Sequence, residues 1–211
     1  RKDVHFGDAS PELVSQLTEV LKKHERILTD LPLRTTLEVC TIPLVDDTPV
    51  RRKQYPLPFA QREAVGKEVE SMLNMGVITR STSDFSAPIV LVKKPDGTYR
   101  FCTDLRELNR VAKFDTEPIP DVDYLFAKMA KAKYLSKFDC CKGYWQIPVA
   151  PEDRHKTAFA TPQGSFEWVV MPFGLKTAGA VFSRMMRKLI QPLGTPEIDN
   201  FIDDIMVGTE T

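Results

Sequence analysis

The sequence has no surplus charge: 29 lysines and arginines balance 29 aspartates and glutamates. Overall charge therefore does not point to a nucleic-acid partner, and any such binding must rest on local patches. Cysteine is scarce, at four, and Cys40, Cys102, Cys140 and Cys141 offer no C-x-x-C zinc spacing. Adjacent cysteines rarely bond to each other, so Cys140 and Cys141 read as small packed thiols. No apolar run approaches the roughly 18 to 20 residues that a membrane span needs. No signal peptide, internal repeat, low-complexity tract or glycine-rich phosphate loop is visible. The chain opens on Arg1 and stops at Thr211, just past an apolar strand-like run, so it reads as a piece of something longer.

Hydrophobic residues make up 42% of the 211 positions, enough to build one large domain or two small subdomains. Residues 10–30 read as a helix, with Ser10 as cap, Pro11 in the first turn and a stripe of Leu13, Leu17, Val20, Leu21 and Leu28. His24 lies near that stripe and reads as a surface or satisfied histidine. Five prolines between residues 31 and 58 (Pro32, Pro43, Pro49, Pro56, Pro58) predict an extended, irregular segment. A second helix fits residues 60–75, with Val65, Val69, Met72 and Leu73 on one face and Gly76 as its stop.

Further along, "APIVLVKKPDGTYRFC" sets two β-rich runs around Pro95-Asp96-Gly97, a hairpin signal. Residues 121–131 look helical, and 133–139 read as a strand ending on Asp139. "TAFAT" and "SFEWVV" flank a second turn, Pro162-Gln163-Gly164. Residues 177–190 carry Ala178, Val181, Phe182, Met185, Met186 and Leu189 at helical spacing. Mixed helices and tight hairpins predict an α+β fold with a mainly antiparallel sheet.

The last hairpin, "NFIDDIMVG" (200–208), holds Asp203 and Asp204 in an apolar setting. Like charges repel, and apolar surroundings make each harder to ionise. If this hairpin and the 133–139 strand lie in one sheet, Asp139, Asp203 and Asp204 converge at one end. A hard divalent cation, bound by carboxylate oxygens, would offset the repulsion. Two such ions can clamp the attacking and leaving oxygens of a phosphoryl transfer. An Asp-Asp pair between apolar runs can also be no more than a hairpin turn.

Four stretches decide between these readings: "VKKPDGTYRFCTDLRELN" (92–109), "FDCCKGYWQIPV" (138–149), "KTAFATPQGSFEWVVMPFGLKTAGAVF" (156–182) and "FIDDIMV" (201–207). In this order and spacing they closely resemble the reverse transcriptase of LTR retrotransposons, the gypsy-like branch. "SMLNMGVITRSTSDFSAPIVLVKK" (71–94) is also similar to that family. The resemblance covers roughly residues 30–208.

The resemblance implies the fingers and palm of a right-hand polymerase, with an antiparallel palm sheet backed by helices and the thumb absent. Residues 1–54 would form a lead-in, 55–114 and 147–176 the fingers, and 115–146 and 177–211 the palm. It implies RNA-directed DNA polymerase activity, transferring dNTP to a primer 3′-hydroxyl with two Mg²⁺ ions, or Mn²⁺ in their place. Asp139 and Asp203 would bind metal, with the Cys140 backbone carbonyl as a further ligand. Asp204 would be a third, less direct catalytic acid. Tyr144 would lie under the incoming sugar and block a 2′-hydroxyl; the competing reading is a core aromatic. Lys94 and Arg100 would grip the triphosphate, with Lys93 an open alternative to Lys94.

Phe173 in "MPFG", where retroviral enzymes usually carry glutamine, would pack near the sugar. Ile202 would touch the nucleotide or primer end, or else pack in the core. Asp104, Arg106 and Asn109 fit the family pattern and equally fit a local polar network. Gly179 stands where the family usually has proline. Arg51, Arg52, Lys53, Lys128, Lys131, Lys133, Lys137, Arg184, Arg187 and Lys188 are candidates for template or primer phosphates. Implied partners are an RNA or DNA template with primer, dNTPs, and the remainder of a pol polyprotein (thumb, RNase H, integrase), with no membrane. The implied location is intracellular, in a cytoplasmic virus-like particle. The rival reading is an inactive fragment or remnant that only binds nucleic acid or a partner protein. A different two-metal palm enzyme, such as a nucleotidyl cyclase, would not need Tyr144, Lys94, Arg100 or "MPFGL".

Overall fold

The computed structural model describes residues 4–95, 97, 99–118 and 121–210, with the backbone alone at Ala60. Helix α1 (Pro11–Lys23) starts where Ser10 accepts a hydrogen bond from the Leu13 N–H. It stops earlier than its apolar stripe suggests, giving way to a single 3-10 turn at Glu25–Ile27. None of its residues is buried. Helices draw most of their stability from packing, so an uncovered stripe is not enough to continue one to residue 30.

Helix α2 (Phe59–Asn74) ends in a Schellman motif: Gly76 N–H donates to the Leu73 carbonyl (2.9 Å) and Val77 N–H to that of Met72 (3.1 Å). Gly76 supplies the required positive φ of 65°. Val65, Val69 and Met72 are buried from this helix, as their spacing predicts. They pack on a sheet of order β1-β6-β5, made from β1 (Ile78–Arg80), β5 (Phe159–Thr161) and β6 (Gly164–Trp168). Phe159, Phe166 and Trp168 fill this core, and Gly164 at φ 122° sits at the turn end of the β5–β6 hairpin.

Strands β2 (Ile89–Lys93) and β3 (Tyr99–Thr103) pair antiparallel, Val92 opposite Arg100 and Lys93 opposite Tyr99. The Asp96 of the expected Pro-Asp-Gly turn lies outside the described residues. The Trp168 indole N–H donates to Thr103 Oγ1 at 3.1 Å, tying this hairpin to the first sheet. After the short helix α3 (Arg106–Val111) comes α4 (Val122–Met129), capped by the Asp121 carboxylate.

The third sheet has the order β4-β8-β7, all antiparallel: β4 (Tyr134–Asp139), β7 (Ile198–Phe201) and β8 (Asp204–Thr209). Strand β4 is an edge and stays exposed along its length. Helix α4 covers the far end of this sheet, where Gly208 leaves room for it. A Cβ at 208 would come within 2.9 Å of Ala132 Cβ and 3.0 Å of Met129 Sδ. The central helix α5 (Ala178–Ile190) buries Val181, Phe182, Met185 and Met186 in the second core. Gly179, in its first turn, has nothing within 4 Å of where a Cβ would be, so its departure from proline imposes no packing demand.

The proline-rich lead-in is extended, as expected, but it is stitched to that core. Cys40 exchanges backbone hydrogen bonds with the Pro148–Ala150 segment (2.8 and 2.9 Å). The buried Asp153 carboxylate accepts from Ile42 N–H (2.7 Å) and from Lys156 (2.6 Å). Burial pushes the Cys40 thiol up to about 12, consistent with an inert packing role. All four cysteines are free.

Candidate active site

The three acids meet at one end of the β4-β8-β7 sheet. Asp139 is the last residue of β4 and stands directly opposite Asp204, the first residue of β8. Only Ile202 and Asp203 form the turn between β7 and β8, since Phe201 pairs with Asp204. The sequence pattern put both aspartates at the turn; the structure places Asp203 in it and Asp204 in the strand.

The turn is built on a costly backbone. Ile202 has φ 52°, a region in which a β-branched residue is an outlier and a hairpin usually places glycine. Two hydrogen bonds hold it. Asn200 Nδ2 donates to the Ile202 carbonyl (3.1 Å), and Cys140 N–H donates to the Asp203 carbonyl (3.1 Å). The second ties the residue after Asp139 to Asp203, locking the two acidic segments together. Asn200 is buried, and sequence reasoning missed it; the available signal was an amide between Asp199 and Phe201 in the strand that leads into the turn. The Ile202 side chain is partly buried against the second core, which is the packing alternative.

Electrostatics register the same convergence. Burial pushes the Cys140 thiol up to about 11, with Asp139, Asp203 and Asp204 adding to the rise. Burial, then Asp203, raises the Tyr144 hydroxyl. Lys137, two residues before Asp139, donates to the Asp204 carboxylate at 2.8 Å. That hydrogen bond raises its own pKa, with smaller contributions from Asp139 and Asp203.

Among the described residues, no three His, Cys, Asp or Glu side chains are gathered closely enough to hold a metal ion as they stand. The donors at this sheet end are nevertheless the hard oxygens that suit Mg²⁺. Asp139 and Asp203 supply carboxylates, and the Cys140 carbonyl, which accepts from Gly143 N–H at 3.0 Å, has a second lone pair. A negative cluster of oxygens with one ammonium against it fits a divalent cation.

Beside the acids is an aromatic wall. Tyr144 sits in a 3-10 turn (Gly143–Gln146), with ring centroids 5.4 Å from Phe182 and 5.2 Å from Phe173. Phe173 is half exposed and also meets Trp145 at 6.2 Å. The turn depends on Gly143: a Cβ there would lie 2.9 Å from two atoms of the Phe182 ring. Sequence reasoning missed this glycine.

Lys94 and Arg100 lie on the separate β2–β3 hairpin. Arg100 faces Val92, and the half-exposed Val90 and Val92 share its side by register. The Lys94 carbonyl accepts from Gly97 N–H. Among the described residues, no hydrogen bond or ion pair joins either side chain to the acids.

Other expected residues take structural partners. The partly buried Asp104 carboxylate accepts from Arg106 (2.7 and 2.8 Å) and Tyr55 (2.9 Å), and these bonds hold it well below the usual carboxylate range. Asn109 clamps the loop after Phe173, donating to the Gly174 carbonyl (2.7 Å) and accepting from Lys176 N–H (2.9 Å). Arg184 pairs with Asp115 (3.0 Å) and Glu38 (3.3 Å), Arg187 with Glu117 (2.6 Å), and Lys188 with Glu38 (2.9 Å). Arg51 pairs with Asp84, Arg52 with Glu107 and Lys128 with Asp199. These ion pairs engage the cations within the fold, with the Arg51, Arg187 and Lys188 side chains still half or more exposed.

Comparison with known proteins bears on the whole. A family model described as "Reverse transcriptase (RNA-dependent DNA polymerase)" matches residues 92–211. The chain is 38% identical over 166 residues to the retrovirus-related Pol polyprotein from transposon 297 of Drosophila melanogaster, covering 76% of this chain and 16% of that one. It is 37% identical over 167 residues to the corresponding polyprotein from transposon opus of the same organism (77% and 17%). It is 32% identical over 159 residues to the transposon Tf2-3 polyprotein of Schizosaccharomyces pombe (75% and 12%). The chain thus spans less than a fifth of these relatives.

Among solved structures, it matches foamy viral protease-reverse transcriptase dRH in complex with double-stranded DNA, with TM-score 0.86 and 24% identity over 97% of this chain and 36% of that one. It also matches native prototype foamy virus protease-reverse transcriptase, with TM-score 0.84 and 22% identity over 97% and 28%. At such identities the likeness shows the fold, the expected fingers and palm of a right-hand polymerase. Among the described residues, no helix is long and apolar enough to cross a membrane.

Proposed function

Because the chain belongs to the reverse transcriptase family, we propose that it is the catalytic core of an RNA-directed DNA polymerase, adding dNTP units to a primer 3′-hydroxyl. The observation that carries this reading is the register of the third sheet. Asp139 and Asp204 are directly opposed, and Asp203 is fixed beside them by the Cys140 N–H. Such a concentration of acid is costly in a protein without a use for it.

Asp139, Asp203 and the Cys140 carbonyl would hold two Mg²⁺ ions, for which Mn²⁺ could substitute. Bound there, such ions would supply acidification of the primer hydroxyl and stabilisation of charge on the departing pyrophosphate. The protein's own groups do the rest. The Tyr144 ring, braced by Phe182 and Phe173, forms the floor under the incoming sugar and leaves no room for a 2′-hydroxyl. Phe173 offers its exposed edge to the same sugar, and Ile202 borders the nucleotide from the turn. Arg100 offers a planar fork and Lys94 a point charge to the triphosphate.

We assign residues 55–114 and 147–176 to the fingers and 115–146 and 177–211 to the palm. There are two hydrophobic cores, one under α2 and the β1-β6-β5 sheet and the other around α5; the second also takes Leu105, Leu108, Ile147, Val149 and Met171 from the stretches assigned to the fingers, so it spans the proposed boundary. A primed RNA or DNA template and the remainder of a pol polyprotein are the partners this reading implies.

The test is Asp203→Asn in the full-length protein, with dNTP incorporation on a primed template as readout and circular dichroism as the check on folding. Loss of nearly all incorporation with the fold intact is the expected result. Retained incorporation overturns the assignment.

A further inference from the structure

Among the described residues, Lys137 is the one at the acid cluster with a charge of the opposite sign and a carboxylate partner within it. It lies on β4 opposite Met206, and Asp204 is the diagonal neighbour two residues away on β8. Strand alternation puts Lys137, Asp139, Asp204 and Met206 on one face of the sheet. The ammonium is 2.8 Å from the Asp204 carboxylate, and the pair is partly solvated, with side chains 59% and 27% exposed. Nearby lysines are occupied elsewhere: Lys128 by Asp199 (2.8 Å), Lys133 over the Tyr134 ring (5.3 Å) and Lys142 over the Trp145 ring (4.9 Å).

The acids differ in how free they are. The Asp203 backbone is pinned in the turn by Cys140, and Asp139 ends its strand. Asp204, in the strand and directly against Asp139, is the one the lysine reaches.

We propose that Lys137 is a positioning residue: it holds Asp204 as its own counter-ion, leaves Asp139 and Asp203 as the pair that takes the cation, and limits how tightly they take it. The inference rests on the metal-dependent reading above. Three carboxylates clustered without a lysine would present a stronger, less selective trap for any divalent ion. One ammonium in the cluster repels the incoming cation and removes a competing ligand. Repulsion between a unit charge and a divalent ion about 4 to 6 Å apart in largely aqueous surroundings, screened by physiological salt, shifts binding by roughly three- to tenfold. A site that must release pyrophosphate with its metal gains from such a limit.

The experiment measures Mn²⁺ binding to the 211-residue chain by isothermal titration calorimetry and by electron paramagnetic resonance of free Mn²⁺, with no nucleotide or template present. Lys137 lies on an exposed edge strand, so its substitution leaves both cores intact. Lys137→Gln is expected to bind Mn²⁺ about three- to tenfold more tightly. Lys137→Arg, which keeps the charge, is expected to match wild type. In an Asp204→Asn background there is no carboxylate left for Lys137→Gln to free, so the substitution is expected to tighten Mn²⁺ binding less than in wild type, by the loss of charge repulsion alone; a merely structural lysine would not show this dependence on Asp204. Mn²⁺ affinity unchanged or weakened in Lys137→Gln overturns the inference while leaving the metal site standing. Absence of Mn²⁺ binding to wild type overturns both this inference and the metal reading beneath it.

Discussion

Asp139 and Asp204 are direct cross-strand partners at the end of the β4–β8 ladder, and Lys137 bridges to the second of them. Two like charges in that relation destabilise a sheet by a few tenths to about 1 kcal/mol. In the proposed reading, a bound cation would offset that repulsion.

Asp139→Asn should therefore separate stability from activity. In EDTA at low ionic strength, chemical denaturation should show a gain of a few tenths to about 1 kcal/mol. The same change in the full-length protein should abolish dNTP incorporation. A less stable variant would show that the favourable contacts of the Asp139 carboxylate outweigh its repulsion from Asp204.

Gly143→Ala should destabilise the chain by about 1–3 kcal/mol, the usual range for overpacking. Its Cβ would press on the Phe182 ring, which is fully buried and cannot yield freely. Phe182→Leu in the same chain should recover part of the loss, read as thermal midpoints of the single and double variants. Additive losses would mean that the clash is not with Phe182.

Asp104→Asn tests the network with Tyr55 and Arg106. The folded carboxyl is held below its usual range by its bond to Arg106 and then by Tyr55, so the network stabilises the protein fully above the unfolded carboxylate pKa. That contribution fades as pH falls below about 4, toward the depressed folded value. The variant should lose about 1.5 kcal/mol at pH 7. Urea melts across a pH series should show its deficit narrowing below about pH 4. A deficit that does not change with pH would assign the loss to packing instead.

Arg184→Ala probes whether the basic face of α5 serves the fold or the template. Arg184 is a third exposed and reaches Asp115, Glu38 and Glu117, which are themselves largely buried. Its removal should cost about 2 kcal/mol, less than a fully buried pair because solvent screens part of it. The slope of template-primer affinity against salt should stay unchanged in the full-length protein. A slope reduced by about one would instead count Arg184 among the phosphate contacts.

Local signals in the chain were strong where they were self-contained. The helix stripe of Val65, Val69 and Met72, the stop at Gly76, the β5–β6 turn and the antiparallel hairpins follow from periodicity and turn chemistry, and all are present. The motifs around Asp139, Tyr144, Phe173 and Asp203 sufficed to recognise the family. The end of α1 was not legible, because whether an apolar stripe finds a surface is not written in the stripe.

The amino-acid order alone determined which acids, aromatics and hairpins the chain owns, since turns and strand alternation are properties of a few neighbouring residues. Tertiary structure decided which of them meet. The strand register sets Asp139 against Asp204 rather than Asp203 and brings Lys137 within 2.8 Å of one carboxylate. Packing gives Arg184 to Glu38 and Asp115 instead of to solvent. Such pairings join residues far apart in sequence, and they are chosen by where backbone hydrogen bonds and buried surface can be satisfied together.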